Sequence, residues 1–422
     1  MTDATTLAAS AETPTPPRHS RAAFTFILIT VLLDMIALGI VVPVLPKLIK
    51  TFLNGDTADA AHIVGYFAAA WALMQFIFQP IVGALSDRFG RRPVVILSNF
   101  GLGLDYILMA LAPNLWFLFV GRLISGITAA SVSTSYAYVA DVTPPEKRAA
   151  QYGMLGAAFG LGFTVGPALT GLLGDISIRA PFWAAAGLSL VNAIYGFFVL
   201  PESLPRDKRS VLSLRPASPL GSLRLLNSSP GLMRLAVAGL LQRFAHGSLP
   251  SMFVLYADYR YGWSLSTVSW ALGAVGVAQM IVSGGLVRPA IKHLGERGTM
   301  IFGMASGIAG FSLYAIAPNS AIFLLAFPPI ALWGIANPAI QSLATRFVGP
   351  SDQGKLQGAQ SSLGSLADMV GPLIFTQLFA AAVTARGPLH IAGAPYFLAA
   401  LFVVGALAVC LPMIKSVPAA AK

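Results

Sequence analysis

Segments of roughly 20 predominantly apolar residues, the length needed to cross about 30 Å of hydrocarbon, recur along the whole chain. Twelve are read, at 24–49, 63–85, 94–112, 115–140, 151–174, 180–201, 231–257, 264–288, 298–317, 320–345, 356–382 and 391–414. Asp, Glu, Lys and Arg make up only 10% of the residues, against about a quarter in soluble domains. The repetition therefore predicts an all-α membrane protein. A formal net charge of +11 does not point to nucleic acid, because the basic residues sit in short loops between spans and not on a basic face with interleaved aromatics. The one cysteine, Cys410, falls inside the last apolar run. That leaves no disulfide framework and no Cys-rich metal site, and it suits a buried apolar thiol.

Residues 1–22, rich in Thr, Ala and Pro, read as a disordered tail and not as a signal peptide, since the apolar run from Phe24 is long and contains Asp34. The longest polar interruption, 202–230, separates a bundle at 23–201 from one at 231–415, with a second tail at 416–422. Placing both termini in the cytoplasm assigns 20 of the 27 Lys and Arg residues to cytoplasmic loops and tails and 5 to the outside, with Arg122 and Arg243 inside spans. The positive-inside rule selects that orientation. The halves echo each other 205 positions apart: Pro145, Gly153, Gly166 and Pro167 recur as Pro350, Gly358, Gly371 and Pro372. Twelve transmembrane helices in two pseudo-symmetric six-helix bundles, facing a midplane site, are the expected architecture.

Between spans two and three the chain reads G-A-L-S-D-R-F-G-R-R, from Gly83 to Arg92. Gly83 suits a close approach of two helix ends, Asp87 stands where it can pair with an arginine or cap a helix, and Arg88, Arg91 and Arg92 face anionic headgroups. A degenerate copy, 285–297, follows span eight. The pattern G-x-L-x-D-R-x-G-R-R resembles the signature loop of the major facilitator superfamily. That resemblance implies a cytoplasmic gate built from Gly83, Asp87, Arg88, Gly90, Arg91 and Arg92, in which Asp87, Arg88 and Arg91 hold the two halves together when the transporter opens outward.

Span five carries G-x-x-x-G-P-x-x-x-G at Gly162, Gly166, Pro167 and Gly171. Small residues four apart permit close helix packing in lipid, and Pro167 favours a kink. The string is similar to the motif of superfamily antiporters and implies export; a packing face without a coupling role is the alternative reading.

Ionisable residues inside a bilayer cost several kcal/mol unpaired and are functional candidates by default. Here they are Asp34, Asp105, Arg122, Arg243 and Asp368. Counted at about 1.5 Å rise per residue, all but Arg122 stand near the midplane. An acid that alternates between apolar surroundings and the neighbourhood of an arginine takes up a proton in one setting and releases it in the other. Asp34, Asp105, Arg122 and Asp368 are the proton-coupling candidates, a fixed ion pair or helix contact being the alternative. Arg243, His246, Gln75, Gln79, Asn337 and Gln341 are the candidates for a substrate cavity. The four amides serve equally as interhelical bonds, and His246 either titrates or hydrogen-bonds to a neighbour. Trp71, Phe76, Phe244, Tyr256 and Trp333 would suit an apolar cavity wall.

In the first half L-D-M-I-A-L-G-I-V-V-P-V-L-P from Leu33, A-L-M-Q-F-I-F from Ala72, S-D-R-F-G-R-R-P, Asp105-Tyr106, G-R-L-I-S-G-I-T-A-A from Gly121, Ala140-Asp141 and the span-five glycines resemble the tetracycline/proton antiporter branch of the drug exporters. R-Y-G-W at Arg260 and the glutamines and glycines from Gln353 to Gly358 extend the likeness. It implies that Asp34 and Asp105 are acids of antiport and Gln75 a substrate-side amide. The branch's acid in span nine has no equivalent in 298–317, and Gln279 stands where its span-eight histidine falls, so Asp368 is expected to supply the second protonation site. The reading is a bacterial inner-membrane carrier, acting as a monomer, that exchanges protons for an amphipathic small molecule, with no enzyme activity, cofactor or metal. Nothing resembles a nucleotide-binding G-x-x-x-x-G-K-[ST] loop. Transport of a sugar or siderophore-like metabolite is the alternative, and a non-transporting membrane receptor a more distant one.

Overall fold

The computed structural model describes residues 18–129, 131–209, 225–349, 352–385 and 391–414, and every regular element among them is helical. The first half comprises α1 (Arg18–Phe52), α2 (Thr57–Phe89), α3 (Arg91–Leu111), α4 (Leu115–Thr128), α5 (Ser131–Val142), α6 (Pro145–Gly174) and α7 (Ala180–Val199). The second comprises α8 (Pro230–Tyr261), α9 (Leu265–Ile281), α10 (Val287–Ile316), α11 (Ser320–Leu324), α12 (Phe327–Trp333), α13 (Ala336–Thr345), α14 (Gln353–Thr384) and α15 (Ala394–Cys410). Helices close their own backbone hydrogen bonds, which lipid cannot do for them.

Nine stretches among the described residues are long and apolar enough to cross a bilayer, against the twelve expected. The difference has three sources. Leu265–Ile316 runs as one 52-residue stretch, through a π-turn at Val282–Leu286 and a non-helical break at Gly295. Ala394–Cys410 is apolar but has 17 residues. Pro230–Tyr261 has 32 residues and is interrupted by Arg234, Arg243, Asp258 and Arg260. Helix ends also overrun the apolar runs. α1 starts at Arg18, inside the segment expected to be a tail, and α2 starts at Thr57, not 63, because the Asp56 side chain caps it by accepting from the Asp59 amide at 2.8 Å. Within the expected linker Arg206–Lys208 forms a short 3₁₀ turn; residues 1–17, 210–224 and the tail 416–422 lie outside the described residues.

The internal repeat extends to local geometry. Gly90 and Gly295, 205 apart, both take positive φ, +106° and +69°. Asn114 and Asn319, at the same offset, cap α4 and α11 by accepting from Phe117 and Ile322 amides. The ion pair of Arg91 with Asp141, 3.1 Å, recurs as Glu296 with Arg346, 2.8 Å, with the charges exchanged.

Within the first half α1 packs on α6, α3 on α7 and α2 on α4; within the second α15 packs on α8 and α10. The halves meet through α2 against α14 and α6 against α9. The α1–α6 seam explains the span-five glycines. A Cβ on Gly166 would lie 2.6 Å from the Gly39 Cα, and one on Gly162 2.6 Å from the Met35 carbonyl carbon. Thr170 Oγ1 adds a 2.6 Å bond to the Ile40 carbonyl across the seam. Gly171 instead faces the other half, against the Trp270 indole. Tyr256, expected to suit a cavity wall, is fully buried: it joins an aromatic core with Tyr314, Phe323 and Tyr396 and donates to the Tyr314 carbonyl at 3.1 Å. Cys410 is a buried free thiol.

Candidate functional site

At the end opposite the 83–92 loop the two halves are bound together. Lys47 Nζ, on α1, donates to Asp258 Oδ1 and to the Trp263 carbonyl, each at 2.5 Å, and Lys50 Nζ donates to Asp258 Oδ2 at 2.6 Å. Burial pushes the Asp258 carboxyl up, but the bonds and charges of Lys47 and Lys50 outweigh it and hold the group below the usual carboxylate range. His62 bonds Gln377 between α2 and α14, and a Cβ on Gly174 would lie 2.8 Å from Leu265. At the loop end the helices stand apart: a Cβ on Gly83, Gly153, Gly156, Gly284 or Gly285 would meet nothing within 4 Å. Gly83 makes no close helix approach in this conformation, contrary to expectation, since a Cβ there would stand in open space. The side-chain bonds described between the halves thus lie at the end opposite the loop.

Asp34 points into the first bundle. Asn192 Nδ2, on α7, donates to Asp34 Oδ1 at 2.9 Å and to the Thr30 carbonyl at 2.9 Å. Asn99, on α3, has its amide oriented by the network, donating to Asp34 at 2.8–2.9 Å and accepting from Asn192 at 3.0 Å. All three residues are buried. The acid is thus surrounded by neutral amides and not by an arginine. Asp105, six residues along α3 from Asn99, is also buried, and its oxygens make no well-formed hydrogen bond among the described residues. It lies against Gly121 and within electrostatic reach of Arg122. The Arg122 guanidinium stacks 5.1 Å above the Trp71 ring. The expected midplane charges therefore divide into separate groups instead of gathering in one.

In the second half Arg243 and Asp368 form a bidentate pair, Nε to Oδ1 at 2.9 Å and Nη2 to Oδ2 at 2.7 Å, joining α8 to α14. Their side chains remain 49% and 43% exposed, so the pair stands on an accessible surface in mid-helix. His246, one turn on, is exposed with its ring 6.1 Å from that of Trp333. Trp333 Nε1 donates to Gln242. Gln242 stands five residues before Gly247, as Asp34 does before Gly39, and Gly247 faces Gly371 as Gly39 faces Gly166. Gln79, Asn337 and Gln341 are exposed and Gln75 half-buried. Gln279 bonds Ser283 at 3.1 Å.

The signature loop is tied within its own half. Arg91 pairs with Asp87, bonds Ser86 Oγ at 2.7 Å and Asp141 at 3.1 Å, and its backbone amide donates to Glu202 at 2.9 Å. Ser203 Oγ also donates to Asp141, at 3.0 Å. Arg88 lies over Phe89, and Arg92 donates to the Phe197 carbonyl. Asn99, Asn192, Glu202 and the Lys47, Lys50 and Asp258 group were not singled out by sequence reasoning. Asn in an apolar helix is the one signal that could have flagged the first two.

Residues 27–372 match the Major Facilitator Superfamily. Tetracycline resistance protein, class C, of Escherichia coli is 38% identical over 401 residues, covering 94% of this chain and 97% of that protein. The class G protein of Vibrio anguillarum is 36% identical over 394 residues, covering 92% and 96%. Among solved structures, the nucleoside transporter NupG matches with a TM-score of 0.74 at 13% identity, over 94% of this chain and all of that one.

Proposed function

The chain belongs to the Major Facilitator Superfamily, and from that premise we propose that it expels tetracycline-like amphipathic drugs in exchange for protons by alternating access. It is an integral membrane carrier and not an enzyme. The reading extends to twelve crossings, cytoplasmic termini and function as a monomer in the bacterial inner membrane. With the 83–92 loop in the cytoplasm, the closed Lys47–Asp258 end faces outward and the conformation is inward-open. One observation carries the coupling: the Arg243–Asp368 pair is exposed in mid-helix, and in this reading it faces the cleft through which substrate and protons arrive.

A proton on Asp368 cancels the charge that holds Arg243. A substrate that engages either partner likewise competes with the pair, so drug and proton occupy the site by turns. Asp34 is the first-half acid, sheltered by Asn99 and Asn192, whose amides serve as donors to a carboxylate or, turned over, as acceptors from a carboxylic acid. Asp105 and Arg122 form a second polar group in the same half. Gln75, Gln79, His246, Asn337 and Gln341 supply the remaining polar contacts for the substrate. Asp87, Arg88 and Arg91 would bridge the halves only when the loop end closes.

Everted membrane vesicles energised by respiration provide the test. Tetracycline accumulates in wild-type vesicles, a protonophore abolishes accumulation, and Asp34→Asn and Asp368→Asn each reduce it at least tenfold at unchanged protein level. Accumulation that survives collapse of the proton gradient would overturn the antiport reading.

A further inference from the structure

A groove of about 600 Å³ runs down the outer face of the first half between α3 and α7. Its walls are apolar, including Leu97, Phe100, Ile194, Phe197 and Phe198, and among the described residues Arg92 is the one charged residue lining it. These side chains are exposed to the surroundings of the bundle, Leu97 at 70% and Phe198 at 78%, so in a membrane the groove is filled by lipid. From Arg92 to Phe100 helix α3 rises about 12 Å, close to the roughly 15 Å depth of one leaflet's hydrocarbon.

The charge at the mouth is what makes the groove selective. Its neighbour Arg91 is neutralised by Asp87 and Asp141, and Arg209 by Glu202 at 3.7 Å. Arg92 has no carboxylate within ion-pair distance among the described residues. One of its nitrogens donates to the Phe197 carbonyl, its guanidinium lies 5.9 Å from the Phe197 ring, and its Nε is buried without a hydrogen-bond partner. An unneutralised cation at the end of an apolar channel one leaflet deep matches a molecule with an anionic head and a long apolar chain. Basic pockets between membrane helices bind such headgroups.

We propose that this groove is a binding site for one anionic phospholipid, an acyl chain lying between α3 and α7 and the phosphate at Arg92. Free phosphate would leave the apolar walls unmet. A second copy of the chain seated on the groove about a twofold axis at its mouth would set Arg92 against Arg92.

Native mass spectrometry of the full-length protein in detergent tests the site, with phosphatidylglycerol, phosphatidylcholine of the same chains, and glycerol 3-phosphate as probes. Wild type is expected to retain one phosphatidylglycerol in preference to phosphatidylcholine. Arg92→Gln should weaken phosphatidylglycerol about fivefold, the effect of one lost basic residue near an anionic headgroup, and leave phosphatidylcholine unchanged. Arg92→Lys should keep the preference, and Ile194→Trp, which adds bulk at an exposed position, should weaken both lipids. Equal retention of the two lipids, a preference that survives Arg92→Gln, competition by glycerol 3-phosphate as strong as by the lipid, or a dimer that excludes lipid would each overturn the proposal.

Discussion

Asp34 shows how a buried acid is accommodated without an opposite charge. Asn192 holds both the carboxylate and the Thr30 carbonyl, and Asn99 completes the ring of donors. Hydrogen bonds to charged groups contribute about 1.5–3 kcal/mol each. Asn192→Leu is therefore expected to lower the melting temperature in detergent and to reduce substrate-driven proton flux severalfold, while Asn192→Gln recovers part of both. Wild-type flux in Asn192→Leu would remove the amides from the account. Asp34 itself was legible in the sequence because a charge inside an apolar run is conspicuous. Its partners were not, since residues 34, 99 and 192 meet only through the rotation of three helices about their axes. The same limit applies to Arg243 and Asp368, which were each identified as membrane charges but not as a pair. Gln242, at the position in α8 corresponding to Asp34, binds Trp333 instead, so the second half places its acid on α14.

On the scale of elements, glycine spacing was the most readable signal and the close α1–α6 seam is its outcome. Gly166→Ala puts a methyl group 2.6 Å from the Gly39 Cα, and overpacking of this kind costs about 1–3 kcal/mol. Gly156→Ala, on the same helix but with nothing within 4 Å, should be neutral or mildly stabilising, because Ala exceeds Gly in helix propensity by up to about 1 kcal/mol. Thermal unfolding of the two variants side by side checks the contrast; equal shifts would contradict it. Gly83 makes no close contact in this conformation, and sequence does not state which conformation a helix end is in. The repeat was visible through its prolines and glycines, whereas the charge-exchanged pairs were not, since Arg91 and Glu296 look unrelated until Asp141 and Arg346 are seen beside them. Arg91→Glu combined with Asp141→Arg copies the second half's polarity into the first. Each single change should destabilise the protein, and the double variant should recover about 0.5–3 kcal/mol as coupling. A double variant no better than the sum of the singles would deny the pairing.

For the whole molecule, the twelve apolar runs specified an all-helical membrane fold, but not which end of the cleft is closed. That depends on Lys47, Lys50 and Asp258, three charges whose meeting across the halves is not visible in the sequence. Because the closed state holds the Asp258 carboxyl below its ordinary value of 3.8, the lock contributes fully above that pH and is lost as pH falls through the depressed value. It thus persists at neutral pH. Asp258→Asn should lengthen the distance between spin labels at Thr51→Cys and Tyr259→Cys at pH 7, whereas in the otherwise native chain that distance should lengthen only in strong acid. An unchanged distance in Asp258→Asn would assign the closure to the α2–α14 and α6–α9 contacts alone. In the proposed exchange, substrate and protons move in opposite directions through one pair of bundles. Proteoliposomes loaded with tetracycline and diluted into drug-free buffer at equal internal and external pH test it most directly: the interior of wild-type liposomes should acidify as the drug leaves, and the signal should vanish in Asp34→Asn and Asp368→Asn. Drug efflux with no change in internal pH, or acidification that persists in both variants, would contradict it.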